Sequence, residues 1–201
     1  ELRLSLVGSE MCIRDRVNYV GKGANLYKLG YQPHGSINVI RKYLGTTYIW
    51  EKIRVQGGAY GGFIVFDMHS GVFNFISYRD PNVVGTLKNY DGTADFLRGL
   101  ELAESELVKS IIGTIGDMDA YQLPDAKGFT SMVRYLTGYG EEERQRVREQ
   151  VLATTEKDFK ALAVQLEKLN QTGKIAVLGS AAAIAEANQE AGDFLAVKTV
   201  L

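Results

Sequence analysis

Glu51-Lys52-Ile53-Arg54-Val55-Gln56-Gly57-Gly58-Ala59-Tyr60-Gly61-Gly62 joins a stretch of helical periodicity to a stretch of strand periodicity, and the fold is read outward from it. On the N-terminal side, Ser36 after Gly35 can satisfy the first free amides of a helix. Ile37, Ile40 and Leu44 recur at spacings of three and four, so they share one helical face, which Tyr48, Ile49 and Ile53 extend. Gly57-Gly58 then supplies a stop, because a left-handed residue costs glycine little. On the C-terminal side, Tyr60 to Phe66 and Val72 to Tyr78 are rich in aromatic and β-branched residues around the turn-like Asp67-Met68-His69-Ser70-Gly71. That pattern predicts a β-hairpin.

Beyond this unit, Val17 to Val20 reads as a short strand ending at Gly21, and Asp80-Pro81 as the opening of a helix with the acid as N-cap and proline in the first turn. Leu87, Tyr90, Ala94 and Leu97 continue that helix. Further helices are predicted from about Glu104 to Met118, from Phe129 to Leu136 after the break at Leu123-Pro124-Asp125, and from the acidic run starting at Glu141. Thr155 with Asp158 three residues on signals a capping box, with Phe159, Leu162, Leu166 and Leu169 facing inward. Lys174 to Leu178 has the character of a buried strand, and Ile184 to Asn188 of a short last helix. This order predicts an α+β fold, a mostly antiparallel sheet covered on one face by helices.

The opening residues differ. Ser5-Leu6-Val7-Gly8-Ser9-Glu10-Met11-Cys12-Ile13-Arg14-Asp15-Arg16 resembles the translation of a sequencing adapter, a recurrent scar in assembled environmental sequences. The expected division is therefore residues 1–16 as a non-native extension and residues 17–201 as one domain, with the upstream chain missing. The alternative is a short native strand followed by a polar turn.

Composition narrows the function. The chain has 201 residues, of which 45% are hydrophobic, enough to bury a core. Lysine and arginine total 23 against 24 acidic residues, so no overall field favours nucleic acid or an anionic membrane surface. No apolar run approaches the roughly 18 residues needed to span a bilayer. The one cysteine, Cys12, leaves no internal disulfide, which suits a reducing compartment. His34 and His69 have no ligand partner at metal-binding spacing and read as ordinary surface or turn residues. Gly57-Gly58-Ala59-Tyr60-Gly61-Gly62 lacks the spacing and the following Lys-Ser or Lys-Thr of phosphate loops and lies between helix and strand, the reverse of the dinucleotide order. The charged run Glu141 to Glu149 reads as a solvated helix face with pairs such as Glu142–Arg146. Arg54 and Tyr60, flanking the glycine turn, are either a surface arginine and a core tyrosine or two donors for one carbonyl oxygen, the guanidinium charged at every relevant pH and the phenol neutral.

The junction Glu51 to Gly62 also resembles the helix-to-strand corner in the last domain of presequence proteases, members of the pitrilysin/insulinase inverzincins. Val17-Asn18-Tyr19-Val20-Gly21, Ser70-Gly71-Val72-Phe73, Ser77-Tyr78-Arg79-Asp80-Pro81-Asn82 and Asp119-Ala120-Tyr121-Gln122-Leu123-Pro124-Asp125-Ala126-Lys127-Gly128 are similar in the same order, so the resemblance runs from Val17 to about Ser180. It implies a clamshell enzyme that degrades short unfolded or targeting peptides, with zinc held by an inverted His-x-x-Glu-His motif in the N-terminal half of the same polypeptide. That motif does not occur here, so the metal ligands are not carried over and this fragment alone is expected to bind no zinc and to be inactive. Arg54 and Tyr60 match the arginine and tyrosine that the family contributes across the closed chamber to bind substrate backbone and stabilise the oxyanion. Gly57, Gly58, Gly61 and Gly62 are expected to let substrate backbone approach. A bacterial cytoplasm or organelle matrix is implied. The competing reading is a metal-free scaffold or assembly subunit of the same fold.

Overall fold

A computed structural model describes residues 4–7 and 17–199. Six strands form one sheet: β1 (Leu4–Val7), β2 (Tyr19–Asn25), β3 (Gly61–Phe66), β4 (Val72–Tyr78), β5 (Lys174–Gly179) and β6 (Ala196–Thr199), in the order β3-β4-β2-β5-β1-β6. The first four in that order pair antiparallel, and β1 joins β5 and β6 in parallel. The predicted α+β architecture is therefore present. Of residues 1–16, only Leu4–Val7 are described, as β1; the rest of that segment lies outside the described residues.

The helices are α1 (Ser36–Thr46), α2 (Val84–Asp91), α3 (Thr93–Arg98), α4 (Glu104–Met118), α5 (Pro124–Thr137), α6 (Glu141–Leu152), α7 (Glu156–Thr172) and α8 (Ala181–Ala191), with a π-helix at Trp50–Gln56. Strand alternation turns Val20, Phe73, Phe75, Ile175 and Val177 toward them, where they meet Ile37, Ile40, Leu44, Ile49, Ile53, Phe159 and Leu166 in one core. The opposite face of the sheet leaves Phe63, Val65, Ile76, Tyr78 and Leu178 exposed. Among these elements, α1 and the π-helix pack on β3, and α2 and α7 on β2. Buried Lys22 reaches from β2 to Asp91 at the end of α2 and donates to the Asn170 carbonyl at 3.1 Å, so its charge is compensated on both sides. Tyr90 is buried with its hydroxyl donating to the Val20 carbonyl at 3.2 Å; burial raises its pKa, as suits a structural phenol.

Several local expectations are corrected. β2 continues past Gly21 to Asn25 because β4 and β5 pair with it on both sides. Asp80 does not cap a helix beginning at Pro81. Its buried carboxylate accepts from the Asn82 amide at 2.8 Å and the Thr86 hydroxyl at 2.6 Å, while its backbone bridges to Asn18, and α2 opens only at Val84. α5 begins at Pro124 rather than Phe129, since proline fits the first helical turn, where no amide is needed. α8 is longer than predicted, with Ser180 Oγ accepting the Ala183 amide at 3.2 Å. Arg146 pairs with Glu143 at 2.6 Å, three residues back, in place of Glu142.

The Thr155–Asp158 cap is present as read. Asp158 Oδ2 accepts from the Thr155 amide at 2.8 Å and from its hydroxyl at 3.0 Å. Asp158→Ala removes both and is expected to lower stability by about 1 kcal/mol, measured by urea denaturation.

Candidate functional site

The corner begins where α1 fails to continue. The Thr47 hydroxyl and amide both bond back to the Tyr43 carbonyl, at 2.7 and 3.0 Å, and the chain leaves α-helical geometry before restarting as the π-helix. In that wider turn Ile49 and Ile53 point into the core while Trp50 and Arg54, four residues apart, point outward. The turn closes with the Gly58 amide on the Arg54 carbonyl and the Ala59 amide on the Ile53 carbonyl, both at 3.1 Å. Gly58 sits at φ +75°, a region that a side chain would strain, and this reverses the chain toward β3. The Tyr60 amide then bonds the Tyr78 carbonyl at 3.1 Å and opens the hairpin.

This route brings Arg54 and Tyr60 together. The Arg54 guanidinium carbon lies 4.2 Å from the Trp50 ring centroid and 5.8 Å from that of Tyr60, so the cation rests between two aromatic faces. Tyr60 is 64% exposed, not a core residue. Its ring meets Tyr78 edge-on at 5.7 Å, and Tyr78 meets Tyr19 at 5.4 Å, so an aromatic ladder crosses the open face of the sheet. Among the described residues the Arg54 guanidinium and the Tyr60 hydroxyl have no hydrogen-bond or ion-pair partner.

A groove of about 420 Å³ opens beside them, bounded by Arg41 and Lys42 of α1, by Trp50, Arg54 and Tyr60, and by the backbone of edge strand β3 from Gly61 to Ile64. Lys42 is held by Asp117 at 2.8 Å. The lining contains cations and aromatic rings and no carboxylate, so it suits an electron-rich oxygen. Trp50, Phe63 and Arg41 were missed in the sequence. Trp50 carried a readable signal, since an aromatic four residues before an arginine on a helix places the guanidinium over the ring.

The glycines divide. A Cβ at Gly57 would sit 2.6 Å from the Ile53 carbonyl, and one at Gly62 would sit 2.7 Å from Ile49 Cγ2 and 3.0 Å from Ile53 Cβ. Their small size therefore serves packing of the π-helix on its own carbonyls and on β3, and Gly62 also lies in the lining of the groove. Gly58 serves the turn. At Gly61 a Cβ would meet only the end of the Phe63 ring, at 2.8 Å, on the groove side.

The histidines do not converge. His34 Nδ1 is 2.8 Å from the Ser36 hydroxyl, and His69 lies edge-on to Tyr139 at 5.6 Å. Among the described residues no three His, Cys, Asp or Glu side chains gather at metal-binding distance; Cys12 lies outside them. This donor set does not fit a zinc ion. No helix of the described residues is long and apolar enough to cross a membrane.

Comparison with known proteins places these features in context. The family described as PreP C-terminal domain matches residues 9–182. Presequence protease 1, chloroplastic/mitochondrial, of Arabidopsis thaliana is 51% identical over 199 residues, which is 99% of this chain and 18% of that protein. The chain thus spans less than a fifth of the length of this curated relative. Among solved structures, a putative zinc protease from Bordetella pertussis superposes with a TM-score of 0.62 at 15% identity, over 80% of this chain and 93% of that one. Pitrilysin superposes with a TM-score of 0.58 at 11% identity, over 99% of this chain and 22% of that one. At these identities the structural likeness speaks for the fold.

Proposed function

The chain belongs to the presequence-protease C-terminal domain family, and from that premise we propose that it is the part of a zinc peptidase that grips substrate backbone and stabilises the oxyanion, while the metal is held in the N-terminal half of the same polypeptide. The substrates are short unfolded or targeting peptides, and the compartment is an organelle matrix or a bacterial cytoplasm. The single observation that supports this reading is the pairing of Arg54 and Tyr60 at one exposed corner, with Arg54 Cζ 5.8 Å from the tyrosine ring and both donors unengaged among the described residues.

Each residue of the corner has a distinct task. The guanidinium carries a permanent charge, and the Trp50 ring beneath it limits its rotamers before substrate arrives, which lowers the entropy cost of forming its hydrogen bonds. The Tyr60 hydroxyl adds a neutral donor to the same oxygen as negative charge develops on it. β3 is an edge strand among the described residues, and its backbone can pair with an extended peptide. Because the remaining groups of the site lie on another part of the polypeptide, closure of the two halves completes the catalytic set and gates turnover.

Expressed alone, the chain is expected to hydrolyse no peptide and to carry no stoichiometric zinc, whereas the longer polypeptide from the same gene does both. Metal analysis and a quenched-peptide assay on the two proteins test this. One tight zinc per chain in the 201-residue protein would overturn the reading. A longer gene without His-x-x-Glu-His would leave the metal-free scaffold as the better description.

A further inference from the structure

The open face of the sheet contains a glycine that the fold does not require. Gly21 lies inside β2, paired with Ile76 of β4 on one side and Ala176 of β5 on the other. Glycine in a strand interior is destabilising, because it loses more backbone freedom on folding and packs no side chain. Gly58 offsets that cost with its positive φ, and Gly62 by admitting Ile49 and Ile53. Gly21 does neither. Its φ is not left-handed, and a Cβ built on it would meet the Ala176 carbonyl at 3.6 Å and the Phe75 carbonyl at 3.9 Å, both ordinary contacts.

The empty position is bounded by side chains. Two residues back, Tyr19 stands edge-on to Tyr78, with ring centroids 5.4 Å apart. Two residues on, Asn74 covers Gly23, its Oδ1 1.9 Å from where a Cβ would fall. Ile76 beside Gly21 and Leu178 diagonally across are 37% and 38% exposed. Together these residues bound a cavity of about 410 Å³ whose lining holds no carboxylate.

We propose that this cavity is a socket for one large apolar side chain of the peptide substrate, and that Gly21 sets the size it accepts. The inference rests on the reading of Arg54 and Tyr60 as the grip on substrate backbone, to which it adds a second anchor. The cavity is continuous with that corner, because Tyr60 meets Tyr78 at 5.7 Å and Tyr78 meets Tyr19 at the cavity's rim. Exposed apolar walls gain from covering a leucine or phenylalanine side chain and gain nothing from glycine or a carboxylate. Two strand spacings across the sheet and two residues along β2 separate the corner from Gly21 by about 12 Å. An extended peptide covers that distance in about three or four residues, which fixes the spacing between the cleaved bond and the preferred side chain.

The test uses the longer polypeptide and a quenched peptide of small uncharged residues, with one phenylalanine walked along it and the cleaved bond located by mass spectrometry. The ratio of kcat/KM for the phenylalanine peptide to that for its alanine counterpart should peak at about tenfold, about three or four residues from the bond. Gly21→Leu fills the cavity and should bring the ratio at that position down to about one. Leu178→Ser takes away one exposed wall and should lower the same ratio, so the outcome does not hang on one variant. Gly21→Ala should melt at or above the wild-type temperature, because its Cβ has space and the unfolded chain is stiffened. A ratio with no peak at that spacing, or one that Gly21→Leu leaves unchanged, overturns the proposal. A lower melting temperature of Gly21→Ala also overturns it, since the space over Gly21 is then already filled in the folded protein. Arg54→Ala should slow both peptides alike and keep their ratio, so failure of the socket and failure of the oxyanion role are read separately.

Discussion

Arg54→Ala and Tyr60→Phe, each made in the longer polypeptide, are expected to lower kcat by about 10²–10³ with zinc content unchanged, the usual loss when one oxyanion donor is removed. The two variants remove different things. Tyr60→Phe deletes one hydroxyl and keeps the ring that meets Arg54 at 5.8 Å and Tyr78 at 5.7 Å, so the corner should keep its shape. Arg54→Ala deletes the charge and also uncovers the Trp50 ring, on which the guanidinium lies at 4.2 Å. A donor that acts only as charge develops lowers kcat and kcat/KM together, whereas one that merely holds the ground-state peptide raises KM. Near-normal turnover in both variants would remove the assigned role and leave only kinship of fold.

Gly62→Val should destabilise the domain by about 1–3 kcal/mol, the cost of overfilling a packed interior. The added atoms would fall against Ile49 Cγ2 and Ile53 Cβ, at 2.7 and 3.0 Å from the position of the first carbon. Neither neighbour can retreat easily, because both are fully buried. The π-helix must therefore move off β3, and with it Trp50 and Arg54. Turnover of the longer polypeptide should fall along with stability. Gly61→Ala is the contrast, since its nearest neighbour is the end of the exposed Phe63 ring, which can swing aside. Chemical denaturation of both variants measures the difference, and equal stability would show that the π-helix is not held through Gly62.

The pair at the centre of the candidate site was legible because its two residues flank a glycine turn within one short stretch, and the family motifs around it are local in sequence. Its surroundings were not. Trp50 comes to lie beneath Arg54, and Tyr78 and Tyr19 continue the ladder from Tyr60, only once the hairpin and β2 have paired across the sheet. The shift from α- to π-helix at Trp50 was equally hidden, and it lies where Ile49 and Ile53 come against Gly62 of the hairpin. For Gly57 and Gly62 the residue type was readable and the packing demand on it was not, since Ile49 and Ile53 come against Gly62 only in the folded chain.

By itself the sequence determined the hairpin, the apolar side of each long helix and the Thr155–Asp158 cap, because each of these is written in the spacing of neighbouring residues, while the family was carried by the identity of the residues in its motifs. Tertiary structure alone decided that the apolar side of α5 is left exposed, that Arg146 takes Glu143, and that two donors from helix and turn share one open corner. Spacing records how side chains are arranged about their own axis. What stands opposite that axis is set by contacts between residues far apart in the chain, and for α5 the geometry leaves its apolar side facing outward.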